Sequence, residues 1–246
     1  MKETLLAFGA TDLASGDGRV VLALKPQPFF RTTDPLTGTG NQAKPAPMQQ
    51  VTYAMAAPGG ADVKPITLGV YLQTKYGQSY VQVAAAFEGK LEKLRAVRLP
   101  DGGCAVLDPA ESDLHLFRPD GTRGATLSLH YKGSPAADIA FEREWLWFTC
   151  PKENALVQFS VRERAFVLRA GGHGIFPNAQ GLCSIGGLLY VCCGAKGEGF
   201  LRIFNPVDMD LEDTLLLSAP PVKYARCGDG SFAWIQNAVY ALKPDT

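Results

Sequence analysis

Short apolar runs broken by Gly, Pro, Asn and Asp recur along the chain, most clearly between Pro177 and Ser218. Gln180 to Ser184 forms one run, and Ile185-Gly186-Gly187 separates it from the Leu-Leu-Tyr-Val segment that ends at Cys192-Cys193. A Gly-Ala-Lys-Gly-Glu-Gly stretch leads on to Phe200-Leu-Arg-Ile-Phe, and Leu211 to Ser218 closes the unit. Runs of this length with Gly-rich turns between them read as antiparallel strands joined by hairpins. Four strands in succession are therefore expected here.

The unit repeats. Trp147, Tyr190 and Trp234 are spaced by 43 and 44 residues, and Phe117, Phe159 and Phe204 by 42 and 45. Pro135, Pro177 and Pro221, each opening a first strand, are spaced by 42 and 44. A period of roughly 40 to 50 residues with four strands per unit is that of β-propeller blades. Helical repeats of similar length would show 3.6-residue periodicity, which no window provides. Even the segment Val83 to Leu94, interrupted by Gly89, reads as strand, turn and strand. The sequence thus predicts an all-β propeller of four-stranded antiparallel blades, one domain spanning residues 1–246.

Closure follows from counting strands. Lys2 to Ala10 is a lone strand, whereas the last unit, Val222 to Pro244, holds only three. The N-terminal strand is expected to complete the final blade, with Thr4 to Phe8 pairing with Ala238 to Leu242. Arg19 to Leu24, Val51 to Ala57, Ile66 to Gln73 and Tyr80 to Phe87 are read as further strands. If residues 10–95 hold two blades, the total is six; five, with a degenerate first unit, is the alternative. The Thr-, Pro- and Gly-rich segment 32–47 reads as a long excursion.

Composition narrows the function classes. Twenty-four basic and 24 acidic residues give a formal net charge of zero. This argues against nucleic acid or an anionic membrane surface as partner. The N-terminus, Met1-Lys-Glu-Thr-Leu-Leu-Ala-Phe, has too short an apolar core for a signal peptide, so a cytoplasmic monomer is expected. Cys183 and Cys227 share the 44-residue phase, and Cys150 and Cys193 a 43-residue one. Cysteines at repeated strand positions behave as small apolar core residues, and adjacent Cys192 and Cys193 face opposite ways.

Candidate chemistry centres on the channel. In a propeller the first strand of each blade lines the central axis. Alignment on the three prolines places Asp138, Gln180 and Tyr224 at one level, with Asn178 above and Arg226 below. Such a ring could hold a small polar ligand, or a cation through oxygen ligands. It could equally be the hydrogen-bonded polar filling that any propeller axis requires. His173, among Gly171, Gly172 and Gly174, is a further candidate on a loop at the channel end. The letters Gly38-Thr-Gly40-Asn-Gln-Ala43 follow no apolar strand and precede no helix, so they do not make a dinucleotide site.

Pro177-Asn178 through Phe204, together with Asp138-Ile-Ala-Phe, Trp145-Leu-Trp-Phe and Leu156-Val-Gln-Phe, resembles the NHL-type and gluconolactonase-like propellers. The resemblance covers about residues 95–246 and implies a six-bladed fold. Gluconolactonase-like enzymes hold a divalent cation through a Glu, an Asn and an Asp from different blades. Asn178 looks like their Asn, while two acidic ligands remain unassigned in this chain. The expectation is therefore a binding module for a protein or small polar ligand at the loops after Gly171 and Thr32, without a cofactor. A metal-dependent hydrolase of the lactonase type, with a divalent cation, is the alternative.

Overall fold

The structure, a computed structural model, describes residues 1–25, 51–57, 62–172 and 174–244. The excursion at 32–47, the dinucleotide-like letters at 38–43 and His173 lie outside the described residues. Strand β1 (Lys2–Phe8) leaves the first blade to β2 (Ala10–Gly16), β3 (Arg19–Leu24), β4 (Thr52–Ala56) and β5 (Val63–Pro65). Helices α1 (Leu68–Tyr76) and α2 (Tyr80–Ala86) follow, joined by one 3-10 turn. Blade 2 comprises β6 (Arg95–Arg98), β7 (Cys104–Asp108), β8 (Asp113–Phe117) and β9 (Arg123–Ser128). The short ladder of β10 (His130–Tyr131) and β11 (Ser134–Pro135) leads into blade 3.

Blade 3 is β12 (Ile139–Glu142), β13 (Trp145–Cys150), β14 (Ala155–Ser160) and β15 (Ala165–Gly171). Blade 4 is β16 (Gly181–Ile185), β17 (Leu188–Ala195), β18 (Glu198–Asn205) and β19 (Asp210–Leu217). Blade 5 is β20 (Pro221–Cys227), β21 (Gly230–Ile235) and β22 (Ala238–Lys243), completed by β1. The expected closure is present: Thr4 pairs with Ala241, Leu5 with Tyr240 and Phe8 with Ala238.

Five blades are described, so the alternative count holds and the favoured count of six does not. The reason lies in residues 66–87, where two of the expected strands are helical. Val70, Tyr71, Thr74 and Tyr76 of α1 are residues that favour strands. Two features override that preference. The Thr67 side chain accepts a hydrogen bond from the Val70 amide at 3.3 Å, an N-cap. One turn apart, Tyr71 and Lys75 are then buried together on the same face. Residues 66–87 thus form a helical insert between blades 1 and 2 and not part of a second blade.

The core confirms a ring of five. Buried apolar residues fall into five clusters, one at each seam between neighbouring blades. Phe232 and Trp234 of blade 5 pack with Leu13 and Leu22 of blade 1, so the last seam is as apolar as the others. The seam between blades 1 and 2 also takes in Tyr71, Tyr76 and Val83 from the insert.

Both sides of every blade are therefore packed, which is why Cys192 and Cys193, adjacent in β17, are buried in two different seams. Cys183 and Cys227 do not occupy equivalent places despite their spacing. Cys183 lies opposite Tyr190 in mid-ladder, and Cys227 opposite Gly230 beside a turn.

Near the axis the inner strands approach closely. A Cβ on Gly181 would lie 2.3 Å from the Val222 carbonyl oxygen of the next blade, so only glycine allows this spacing.

Candidate functional site: the central cavity

Asp12-Leu13-Ala14 of blade 1 and Asp138-Ile139-Ala140 of blade 3 hold matching places, each Asp four residues before the last pair at the first hairpin turn. Each Asp is buried, and each is held by a lysine from another element. Asp138, with no solvent exposure, accepts from the Ile139 amide at 2.9 Å and the Leu182 amide of blade 4 at 2.7 Å. Its Oδ2 also receives the Lys223 ammonium of blade 5, which in turn donates to the Leu182 carbonyl at 2.9 Å. One carboxylate thereby ties three blades together at the axis.

Asp12 plays the matching part on the opposite side of the chain's repeat. Its Oδ2 accepts the Tyr71 hydroxyl and the Lys75 ammonium, each at 2.5 Å, from one face of α1. Lys75 and Asp12 side chains are each 2% exposed. Lys75 also donates to the Leu91 carbonyl at 2.9 Å, beside the Tyr76 hydroxyl, which donates to the same oxygen at 2.8 Å. Burial pulls the Lys75 ammonium below its ordinary range, against the pull of Asp12, and the nearby charges of Arg95 and Lys223 add to the lowering. Burial and the Asp12 charge push the Tyr71 hydroxyl well above its usual range, so it stays protonated.

Arg95, first residue of β6, reaches the other oxygen of Asp12 at 3.4 Å. Its guanidinium lies 5.7 Å from the Trp234 ring centroid, and its Nε is buried with no hydrogen-bond partner among the described residues. At the far end of β6, Arg98 bonds Asp17 through both terminal nitrogens, the longer contact being 2.8 Å. It also donates to the carbonyls of Gln73 and Thr74 at 2.8 and 3.0 Å, satisfying the C-terminal end of α1.

These groups surround a cavity of about 210 Å³ at the meeting of the five inner strands. Its charged wall consists of Asp12, Lys75, Arg95, Arg98 and Lys223, and its apolar wall includes Leu13, Val97, Ile139, Phe141 and Leu182. Ser15, Cys183 and Ser184 complete the polar lining, with the Ser184 hydroxyl donating to the Glu142 carboxylate. Burial raises the Cys183 thiol to about 12, so it is not a thiolate nucleophile near neutrality.

The residues expected to converge on the axis are dispersed. Asp138 is there, though just outside the cavity lining. Asn178 is exposed and takes the Gln180 side-chain amide at 2.8 Å, so those two meet each other and not Asp138. Tyr224 is buried in the seam between blades 4 and 5, stacked on Tyr190 at 5.2 Å, with its hydroxyl on Ser231. Arg226 is exposed and donates to the Gly228 carbonyl. The prolines are false anchors for alignment: counted back from the first hairpin turn of each blade, Asp138 matches Gly181 and Lys223, which lie three, four and two residues after Pro135, Pro177 and Pro221. Lys223 thus carries the ammonium to the axis.

Asp12, Lys75, Arg95 and Lys223 had not been singled out. The signal for Asp12 was its match to Asp138, an acidic residue opening an otherwise apolar run. For Lys75 no repeat could serve, since the insert has no counterpart in other blades.

Among the described residues, no group of three or more His, Cys, Asp or Glu side chains is arranged to hold a metal ion. No helix among them is long and apolar enough to cross a membrane.

No protein family matches the sequence, and no curated protein matches it. Solved structures do. Glutaminyl cyclase of Myxococcus xanthus is 10% identical, over 99% of this chain and 94% of its own, with a TM-score of 0.52. Streptogramin B lyase is 12% identical over 98% and 96%, with a TM-score of 0.49. Virginiamycin B lyase from Staphylococcus aureus is 12% identical over 99% of both chains, with a TM-score of 0.47. At this identity the likeness to the glutaminyl cyclase is one of fold alone.

Proposed function

We propose that the protein is a binding module that takes a small polar ligand in its central cavity. The observation that carries this reading is the cavity itself, with five charged side chains and an apolar wall where the five inner strands meet. Pockets that pair an apolar lining with a few placed polar groups are the usual sites for small molecules. The rigidity of the wall adds support, since Lys75 and Lys223 are fixed by two or more hydrogen bonds each. A site held this way is organised before the ligand arrives.

The lactonase-type alternative is less favoured, because its cation would need free oxygens at the axis. Asp12 and Asp138 are each engaged by a lysine and by further donors.

A thermal-shift screen of small polar metabolites tests the reading. Ligands that raise the melting temperature of the natural protein should lose their effect on Ser184→Phe, which fills the cavity. Hits that persist in that variant would move the binding site elsewhere.

A further inference from the structure

The charges that face the cavity are unbalanced. Lys75, Arg95, Arg98 and Lys223 line it, and Asp12 is the one carboxylate in the lining. Arg98 is matched by Asp17 and Lys223 by Asp138, both outside the lining. Lys75 and Arg95 are left to share Asp12, and Lys75 has the better of it at 2.5 Å against 3.4 Å. Glu142 bonds Ser184 and does not line the cavity. Arg95 is thus a largely buried guanidinium with one long ionic contact, a condition that costs free energy unless another anion completes it.

Resting on the reading of the cavity as a ligand site, we propose that its ligand is a small organic anion, a carboxylate on a compact apolar body, with Arg95 as the anchor. Three features agree. The planar guanidinium fork matches a carboxylate in two-point geometry, and the Trp234 ring beneath it restricts how it turns. Leu13, Val97, Ile139, Phe141 and Leu182 offer the hydrocarbon part an apolar wall. The cavity of about 210 Å³ is smaller than the usual site of a drug-sized ligand and suits a short acid. A cationic ligand would meet a wall of like charge, with Asp12 already bonded by Tyr71 and Lys75.

The experiment compares butyrate, benzoate, inorganic phosphate, butyramide and glucose as stabilisers of the full chain, with calorimetric titration of any hit. A carboxylate at a hundredfold excess over its Kd should raise the melting temperature by about 5–10 °C. Butyramide, the uncharged isostere, should not. Arg95→Gln should abolish the effect while melting cooperatively, and Arg95→Lys should retain part of it. Butyramide matching butyrate, or glucose alone binding, would overturn the anion assignment and leave the cavity reading standing. Phosphate binding without any carboxylate binding would overturn the carboxylate head. Stabilisation by no compound would sink both the anion and the small-ligand readings.

Discussion

The Lys223 ammonium of blade 5 bonds the Asp138 carboxylate of blade 3, and the Leu182 backbone of blade 4 bonds both. The link is buried, so its two halves are not equal in mutation. Removing one charge strands the other, at a cost of about 3–5 kcal/mol, whereas replacing both with apolar groups of similar size is often near neutral. Asp138→Leu alone should lower the unfolding free energy by that amount, and Asp138→Leu with Lys223→Met should recover most of it. Additive losses in urea melts would show that the pair is not coupled.

Strand β1 bonds along the whole of β22, and the Glu3 carboxylate accepts from both the Ser218 amide and its hydroxyl. Deleting Lys2–Phe8 leaves β22 as a bare edge beside the buried Val239 and Ala241. A fall in melting temperature of roughly 10 °C is expected, from a few kcal/mol in a chain of this size. An unchanged melt would mean that closure contributes nothing to stability.

Much of this architecture was legible in the sequence, and the reasons can be named. From Arg95 onward each blade repeats the same aromatic beat, and a hairpin such as that across Gly186 and Gly187, with φ of 60° and 87°, announces itself by composition. Residues 66–87 were misread because Val70, Tyr71 and Tyr80 favour strands, and packing against blades 1 and 2 overrides that preference. The site was less legible than the fold. Asp138 emerged from the repeat, but alignment on the prolines sets Tyr224 in the place of Lys223, which lies two residues after Pro221 where Asp138 lies three after Pro135, and Lys75 belongs to an insert without repeats. Ion pairs between Asp12 and Lys75, 63 positions apart, are fixed by tertiary geometry that no local pattern encodes.

Alkaline pH should loosen the protein through its buried thiols. Burial raises Cys104 and Cys193 from an ordinary value of 9.0 to about 12, although Arg98 and Lys75 act oppositely on Cys104, and Arg202 on Cys193. Folded chains therefore hold protons that unfolded chains release. The stabilisation is complete below pH 9 and is lost as pH rises from 9 towards 12, by up to ~1.4 kcal/mol per pH unit for each thiol. Urea midpoints measured across that window should fall less steeply for Cys104→Ala with Cys193→Ala than for the natural protein. Equal slopes would assign the alkaline loss to other groups.

Gly181 offers a steric test of the axis. Its substitution by Ala sets a Cβ 2.3 Å from the Val222 carbonyl oxygen and 3.0 Å from the Cys192 Cβ. The blades must part to accept it, with an expected loss of about 1–3 kcal/mol. If the cavity is the binding site, ligand stabilisation should fall as well, because Leu182 and Cys183 in its wall would shift with β16. Full stability in the alanine variant would mean that blades 4 and 5 can separate without cost.

The pairing of Lys2 with Lys243 also dictates when the ring can be finished. Strand β1 precedes β22 by all the other strands of the ring, so it must wait unpaired while blades 1 to 4 are made. Contacts so distant in sequence are slow to form, and an unpaired strand edge invites association with other chains in the interval. Blades 2, 3 and 4, each built from consecutive residues, can form as they emerge. Until β22 is released, β1 has no partner and the ring of blades stays open beside blade 1.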